Sequence, residues 1–365
     1  MARIMKRENI VSILYGATLL GAGGGGSLSD GLKCLADLEA DTGKDFECRM
    51  IDADEMEDGQ YAGVIAGTGS PAVLKQVHWR DEGVNAFNAL KHVCFFEGKK
   101  INYLVSGEQG GFATFTPFLV CSILGMDVVD ACCCGRAVPG LDATLANVHG
   151  IPTSPLVVSS KEGNTIVAFP KDPFNGKRAE NIQRNYVQSQ GWIAAFGTWV
   201  CSKDDIKNKI AFGEISFAET VGEQILAARA ADGDVAEYIA RKIPCRKLCT
   251  GVITKKTLEK KAGWDWGYNE ITADDGKKYY IDFKNENIVA RDEDGKVYMT
   301  APDHISVIET TGYLPLSNSD TEEGQHVSVL LLPVHEAWWT TPKGAEVWQP
   351  YYDTVGYTGD GPVRF

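Results

Sequence analysis

The chain lacks any concentration of positive charge. Its 365 residues have a formal net charge of −13 and a pI near 5.0, and the densest basic stretch, residues 255–261, is interrupted by neutral and acidic side chains. Nucleic-acid binding draws its affinity from clustered Lys and Arg, so the composition excludes a nucleic-acid partner.

The chain also lacks an apolar segment long enough to cross a bilayer. Residues 10–20 follow Arg3, Lys6 and Arg7 and superficially resemble a secretory signal. Their apolar side chains recur at helical spacing, however, and polar residues interrupt them. We therefore predict an amphipathic first helix, no signal peptide and no membrane partner.

Two further patterns are missing. The ten cysteines do not have the spacing of a small disulfide-bonded domain, which favours reduced thiols and a cytoplasmic location. The glycine-rich segment at residues 21–27 lacks the Gly-Lys-Ser/Thr ending of a phosphate loop and follows a predicted helix rather than a strand. No nucleotide cofactor is therefore expected.

What is present is typical of a globular protein of two domains, with 44% hydrophobic and 23% charged residues. Residues 46–159 alternate short apolar runs with helical patterns, which predicts an α/β domain with at least four parallel strands. Beyond residue 244, short apolar runs separated by turn residues predict a β-rich domain. We place an α/β ligand and catalytic domain at residues 1–165, and a helical connector with the β-rich C-terminal domain at residues 166–365.

Three predicted strands end in polar or glycine-rich loops, at residues 67–71, 106–111 and 130–136. Ligands of open parallel sheets collect outside the carboxyl ends of the strands, so these loops predict a shared small-molecule site. The segment at residues 21–27 either adds backbone amides that bind an anion, with Ser27 or Ser29 as a helix cap, or is a flexible turn. The predicted substrate-binding residues are Gly23, Gly24, Gly25, Gly26, Ser27, Thr68, Gly69, Gly110 and Gly111.

Charged side chains occupy these loops. Glu108 lies beside two glycines, where a carboxylate can act as a base or hydrogen-bond acceptor, or serve only as a helix cap or surface group. Asp130 follows two valines at the predicted mouth of the sheet. Arg136 can pair with Asp130 or anchor a carboxylate or carbonyl of the substrate; a purely structural Asp–Arg pair is the alternative.

Three consecutive cysteines, Cys132, Cys133 and Cys134, admit the roles of thiolate nucleophile, soft-metal ligand or redox pair. Successive side chains diverge, so one or two of them would share an ion with other groups. The predicted ligands are Cys132, Cys134, Asp130 and His149, for zinc or another divalent metal. Alternatively, His149 is a helix C-cap and the cysteines are small residues packed into a tight turn.

Several motifs together resemble one known family. They are GATLLGAGGGGS near the start, EQGGF at 108–112, DACCCGRAVPG at 130–140, GIPTSPL, GWDWGYNEI, FKNENIVA, APDHISVIE and VGYTGDGPV. In them the chain resembles, nearly end to end, the S-methyl thiohydantoin desulfurases, which occur near or fused to hydantoinase/oxoprolinase-type proteins. The resemblance implies an α/β domain, a β-rich domain, and hydrolytic removal of methanethiol from a five-membered ring to leave a hydantoin.

The central motif departs from the family pattern at two positions. The family's motif resembles Asp-x-Asp-x-x-Gly-Arg-Ala-x-Pro-Glu, onto which Asp130 and the Gly-Arg-Ala-x-Pro segment at 135–139 map directly. Cys132 stands where the second Asp is expected, and Gly140 where the Glu is expected. Replacing two oxygen ligands or bases in this way changes metal preference and proton-transfer capacity, so a different substrate is plausible.

The resulting functional hypothesis is a hydrolase or lyase, with or without a metal, acting on a hydantoin-like cyclic amide or amidine. Its predicted catalytic residues are Glu108, Asp130, Cys132, Cys133 and Arg136. A zinc hydrolase and metal-free covalent catalysis by a cysteine are the two mechanisms considered. The alternative function is a non-catalytic ring-binding or regulatory subunit of a hydantoinase/oxoprolinase-type partner. We expect a small-molecule substrate and a homo-oligomer.

Overall fold

The computed structural model describes residues 2–261 and 264–365. Nine strands form a first sheet: β1 (Arg3–Lys6), β2 (Glu47–Ile51), β3 (Gln60–Gly69), β4 (Lys100–Ser106), β5 (Asp127–Cys132), β6 (Leu156–Ser159), β7 (Thr165–Ala168), β8 (Ile193–Cys201) and β9 (Ala211–Phe212). Its order is β1-β2-β5-β4-β3-β8-β6-β7, with β9 on β5. Strands β2, β5, β4 and β3 are parallel neighbours, which confirms the predicted, mainly parallel core of the sheet.

Eight strands form a second sheet: β10 (Arg246–Lys261), β11 (Trp264–Ala273), β12 (Lys278–Lys284), β13 (Glu286–Asp292), β14 (Val297–Thr300), β15 (His304–Glu309), β16 (Pro315–Leu316) and β17 (His326–Leu332). All its strand pairs are antiparallel. The predicted β-rich C-terminal domain is therefore confirmed.

Twelve helices accompany the sheets in the part of the chain described. They are α1 (Arg7–Leu20), α2 (Leu28–Thr42), α3 (Pro71–Leu74), α4 (Asp81–Phe96), α5 (Phe115–Leu124), α6 (Leu145–Val148), α7 (Gly176–Ser189), α8 (Lys203–Lys209), α9 (Glu214–Ala231), α10 (Val235–Ala240), α11 (Pro342–Glu346) and α12 (Gln349–Thr354). Among these residues, no helix is both long and apolar enough to cross a membrane.

The segment predicted as a helical connector contributes to the first sheet. Strands β8 and β9 lie within residues 166–245 and pair with strands of the first sheet. The strand β8 is buried along nearly its whole length, so its sequence has no alternating polar pattern, and a short apolar run of this kind cannot be distinguished from a buried helix by periodicity.

Helix α1 is more buried than an amphipathic surface helix, because α9 crosses it closely. A Cβ atom on Gly222 of α9 would lie 1.7 Å from the carbonyl oxygen of Ser12, and one on Gly16 would lie 1.8 Å from that of Ala218. Only glycine permits this approach. Residues Ile13 to Leu20 are all buried as a result.

Candidate functional site

A cavity of about 270 Å³ lies where the carboxyl ends of the parallel strands face the second domain. The first domain contributes Gly23–Gly26, the end of β3, and the loops after β4 and β5. The second domain contributes residues around Phe283–Glu286 and Ser317–Ser319, and α7 closes a further side. Three loops that the sequence assigned to one sheet edge thus meet at one cavity.

The glycine-rich segment and the loop after β4 pack backbone against backbone. The Phe112 and Ala113 N–H groups both donate to the Gly25 carbonyl, at 3.2 and 3.0 Å. A Cβ on Gly25 would lie 2.1 Å from the Gln109 carbonyl oxygen, and both Gly25 and Gly110 have positive φ. The glycines are therefore required by a close approach as well as by conformation.

Most of the predicted substrate-binding residues line this cavity. Gly23 to Gly26, Thr68 and Gly69 lie in its wall, whereas Ser27, Gly110 and Gly111 lie behind it. Ser27 is the N-cap of α2, as predicted: its hydroxyl accepts from the Asp30 N–H at 3.2 Å, and the Asp30 carboxylate accepts from the Ser27 N–H at 3.1 Å.

Glu108 reaches the cavity from the end of β4. Its Oε2 accepts from the Val138 N–H at 3.3 Å. Burial raises the pKa of Glu108 from 4.5 to about 7, the charge of Glu180 adds to this effect, and the Val138 N–H opposes it. A carboxyl group that titrates near neutrality is suited to proton transfer.

Two further glutamates line the same cavity, and sequence reasoning missed both. Glu286, at the start of β13, is 4% exposed, and its Oε2 has no hydrogen-bond partner among the residues described. Burial raises its pKa to about 8, and the charge of Glu108 contributes. The FKNENIVA motif contains Glu286 and was the one available signal.

Glu180 is the second missed carboxyl group. It is 6% exposed on α7 and accepts from the Leu141 N–H at 3.2 Å and from Arg184 Nε at 2.9 Å. Burial raises its pKa despite Arg184. From the sequence alone it resembles an ordinary i,i+4 ion pair on a helix surface.

The carboxylate of Glu180 lies against Gly140, the position where the family pattern has a Glu. A Cβ on Gly140 would lie 3.0 Å from Glu180 Oε2 and 2.6 Å from both Asp142 Oδ1 and the Tyr351 hydroxyl. The absent side chain therefore leaves space that another acid and its neighbours occupy.

Asp130 and Arg136 do not pair with each other and lie outside the cavity lining. Asp130 accepts from the N–H groups of Ile215 and Ser216, at 2.9 and 3.1 Å, and so caps the start of α9. The fully buried guanidinium of Arg136 donates to main-chain carbonyls, including those of Pro302 at 2.8 Å and Asn287 at 3.1 Å. Their contacts are those of structural residues that join segments, and the predicted catalytic and anchoring roles are not favoured.

The three cysteines are fully buried, and of them only Cys134 lines the cavity. Cys134 Sγ donates to the Gly107 carbonyl at 3.1 Å, and Cys132 Sγ accepts from the Gly135 N–H at 3.3 Å. Burial raises the pKa of Cys132 to about 12 and that of Cys134 well above its usual value. The pKa of Cys133 is also raised, first by its contact with Cys201 and then by burial. Such thiols are neutral near pH 7. The prediction of a reactive cysteine cluster is therefore wrong, and the three cysteines are small residues packed in the protein interior, which was the alternative interpretation.

The predicted metal site at Cys132, Cys134, Asp130 and His149 is wrong. Within the described residues, no three His, Cys, Asp or Glu side chains are grouped so that they could hold an ion. Asp130 turns toward α9, and His149 ends helix α6, with its Nε2 3.1 Å from the Ala337 carbonyl. The alternative interpretation of His149 as a C-cap is confirmed, and the zinc assignment is withdrawn.

Comparison with known proteins assigns the family. The chain matches the model described as S-Me-THD-like, N-terminal domain over residues 8–169, and the one described as S-Me-THD-like, C-terminal domain over residues 175–358. None of the curated proteins matches it. A crystal structure of a protein from Chromobacterium violaceum superposes with a TM-score of 0.81 at 23% identity, over 99% of this chain and 100% of that one, and shares its fold. Because the two family models together span most of the sequence, the chain belongs to the S-Me-THD-like family.

Proposed function

We propose that the protein hydrolyses an S-methyl thiohydantoin-type ring and releases methanethiol. The observation that supports this most is the group of three glutamates, Glu108, Glu180 and Glu286, in the wall of one cavity. The pKa values of Glu108 and Glu286 are raised to about 7 and about 8. Pairs of acids whose environments hold them near neutrality are typical of acid–base catalysis.

Each turnover moves the two protons of one water, so a base must remove a proton and an acid must supply one. Water adds to the ring carbon that bears sulfur, forming a C–O bond in place of the second bond between that carbon and the ring nitrogen; the water loses one proton to a base and the ring nitrogen takes up one. The C–S bond then breaks as the oxygen gives up its second proton and becomes the ring carbonyl, and the departing methanethiolate takes up a proton as methanethiol. No oxidant or reductant is required.

Glu108 and Glu286 fit these two tasks. Burial raises the pKa of both carboxyls, and the charge of Glu108 raises the pKa of Glu286 further. We therefore assign Glu108 as the group that ionises first and accepts a proton from water, and Glu286 as the group that keeps its proton and donates to the leaving sulfur or the ring nitrogen. Glu180 contributes its charge, which helps to hold the pKa of Glu108 high.

The rest of the cavity suits a small, flat, uncharged ring. Aromatic side chains of Phe112, Phe196, Trp199 and Phe283 contribute to its wall. A volume of about 270 Å³ accommodates a five-membered ring, and the adjoining cleft, which shares Thr68, Gly69 and Trp264 with the cavity, leaves room for a substituent on that ring.

Headspace gas chromatography of methanethiol tests the proposal directly. The purified protein should release methanethiol from an S-methyl thiohydantoin, and Glu108→Gln should lower the rate by about 10²- to 10⁴-fold. Glu223→Gln, an exposed position on α9, is the matched control and should leave the rate unchanged. Failure of the unaltered protein to release methanethiol would favour the ring-binding or regulatory alternative instead.

A further inference from the structure

An irregularity in β8 places Trp199 in the cavity wall. Val64 on β3 pairs with Thr198 on β8, whereas Ala62 on β3 pairs with Cys201. Two residue steps on β3 therefore correspond to three on β8, which is a β-bulge with one extra residue in the Trp199 segment. Bulges of this kind redirect a side chain, and they occur often beside active sites.

The bulge changes the face on which Trp199 lies. Ala194 and Phe196 pack in one buried cluster and Ala195 in the cluster on the opposite face of the sheet. Strict alternation would put Trp199 on the face of Ala195. Trp199 instead packs in the cluster of Phe196, and both residues line the cavity.

The backbone of Trp199 has an unusual conformation for a bulky residue. Its φ is +45°, in the left-handed region that side chains other than Gly, Asn and Asp seldom adopt. Such conformations cluster at ligand sites, where the surrounding structure maintains them. Together with the bulge, this indicates that the position of this indole matters more than local backbone preference.

The indole N–H of Trp199 is an unused donor. The residue is 1% exposed, and its Nε1 has no hydrogen-bond partner among the described residues. Gln183 of α7 has an unused acceptor. It is 4% exposed and lines the same cavity, and its Oε1 has no hydrogen-bond partner in the described part of the chain. Buried polar groups are nearly always paired, and Trp199 and Gln183 are residues of the cavity wall whose side chains keep this hydrogen-bonding capacity unused.

We infer that Trp199 and Gln183 are the specificity-determining residues that recognise the ring. The indole N–H donates to an exocyclic carbonyl oxygen of the ligand, and Gln183 Oε1 accepts from a ring N–H. A ring that carries a carbonyl beside an N–H, as in cyclic ureides and hydantoins, satisfies both. The inference rests on the proposed function for its ligand class and adds the groups that select it.

Binding of hydantoin, measured by calorimetry or ligand-observed NMR, tests this without any turnover. Trp199→Phe should weaken binding by about 10- to 100-fold, because the carbonyl loses its donor inside a buried site. Gln183→Met should weaken it similarly. Trp348→Phe is the matched control: Trp348 is also fully buried, its Nε1 also lacks a partner among the described residues, and it lies outside the cavity lining. It should leave binding unchanged.

A second variant separates the hydrogen bond from packing. Benzothienylalanine at position 199 keeps the shape of indole but has sulfur in place of N–H, so it should weaken hydantoin binding as Trp199→Phe does. The inference is overturned if the unaltered protein does not bind hydantoin, if the benzothienyl variant binds it normally, or if Trp348→Phe weakens it equally. Absence of methanethiol release, with Trp199-dependent hydantoin binding intact, would refute the proposed reaction alone.

Discussion

The start of helix α9 contains a buried acid that should make the protein's stability depend on pH. Glu214 is 3% exposed, and its Oε1 has no partner among the described residues. Burial raises its pKa from 4.5 to about 8, with a contribution from the charge of Asp130. It lies outside the lining of the proposed catalytic cavity, so it can be altered as a test of the electrostatics alone.

The sign follows from proton linkage. A folded-state pKa above the unfolded value means that the folded protein retains the proton, so this group's stabilising contribution is complete below about pH 4.5 and is lost as the pH rises through about 8. At about 1.4 kcal/mol per pH unit, the total loss is on the order of 5 kcal/mol when the carboxyl is ionised in the fold, and roughly 4 kcal/mol of it falls between pH 5 and pH 9. The Glu214→Gln variant has no ionisable side chain at this position, so it does not lose this stability at high pH.

Urea unfolding at pH 5 and pH 9 measures this difference. The free energy of unfolding of Glu214→Gln, relative to the unaltered protein, should rise by roughly 4 kcal/mol from the acid to the alkaline condition. The exposed Glu223→Gln should show no such rise. The other buried acids are present in both proteins, so their contributions to the difference in free energy of unfolding cancel. An equal effect of Glu214→Gln at both pH values would refute the claim that this acid is buried without compensation.

Three further predictions concern the site and its surroundings. Arg136→Lys should lower the free energy of unfolding in urea by about 3 kcal/mol, because Lys cannot reproduce the guanidinium hydrogen bonds to main-chain carbonyls; the exposed Arg178→Lys should have little effect, and an equal effect of both would contradict the assignment. Iodoacetamide at pH 8 should leave Cys132 to Cys134 of the folded protein unlabelled by mass spectrometry, because burial raises the pKa of Cys132 and Cys134, and the contact with Cys201 followed by burial raises that of Cys133; rapid labelling with loss of turnover would restore a cysteine mechanism. Glu180→Gln should move the acid limb of the pH–rate profile to lower pH, because the charge of Glu180 raises the pKa of Glu108; an unmoved limb would argue against this coupling.

Much of the first domain could be predicted because its signals are local. Four parallel strands were visible as short apolar runs, three of them followed by polar or glycine-rich loops, and Glu108 with Gly23 to Gly26 does line one cavity. The rule that ligands collect at the carboxyl ends of parallel strands needs only strand order and chain direction.

The error at Asp130 came from the length of one strand. The predicted strand ended at residue 129, whereas β5 continues to Cys132. Asp130 is thus a strand residue, and its side chain points toward α9. Of the three cysteines, only Cys134 lines the cavity. Because the strand ends about three residues later than predicted, Asp130, Cys132 and Cys133 lie outside the cavity lining.

The other acids of the site depend on tertiary structure. Glu180 comes from α7 and Glu286 from the second domain, and neither segment is adjacent to Glu108 in the chain. Their proximity results from packing between distant elements. The raised pKa values follow from burial, which single-sequence patterns do not specify for an isolated Glu.

The dependence of kcat/KM for methanethiol release on pH tests the central claim, that Glu108 and Glu286 transfer the protons. The unaltered protein should give a narrow bell with its maximum between about pH 7 and 8, since Glu108 must be ionised and Glu286 protonated. Glu286→Gln should lower the rate and abolish the alkaline limb, because an amide does not titrate. An alkaline limb that persists unchanged in Glu286→Gln would contradict the account.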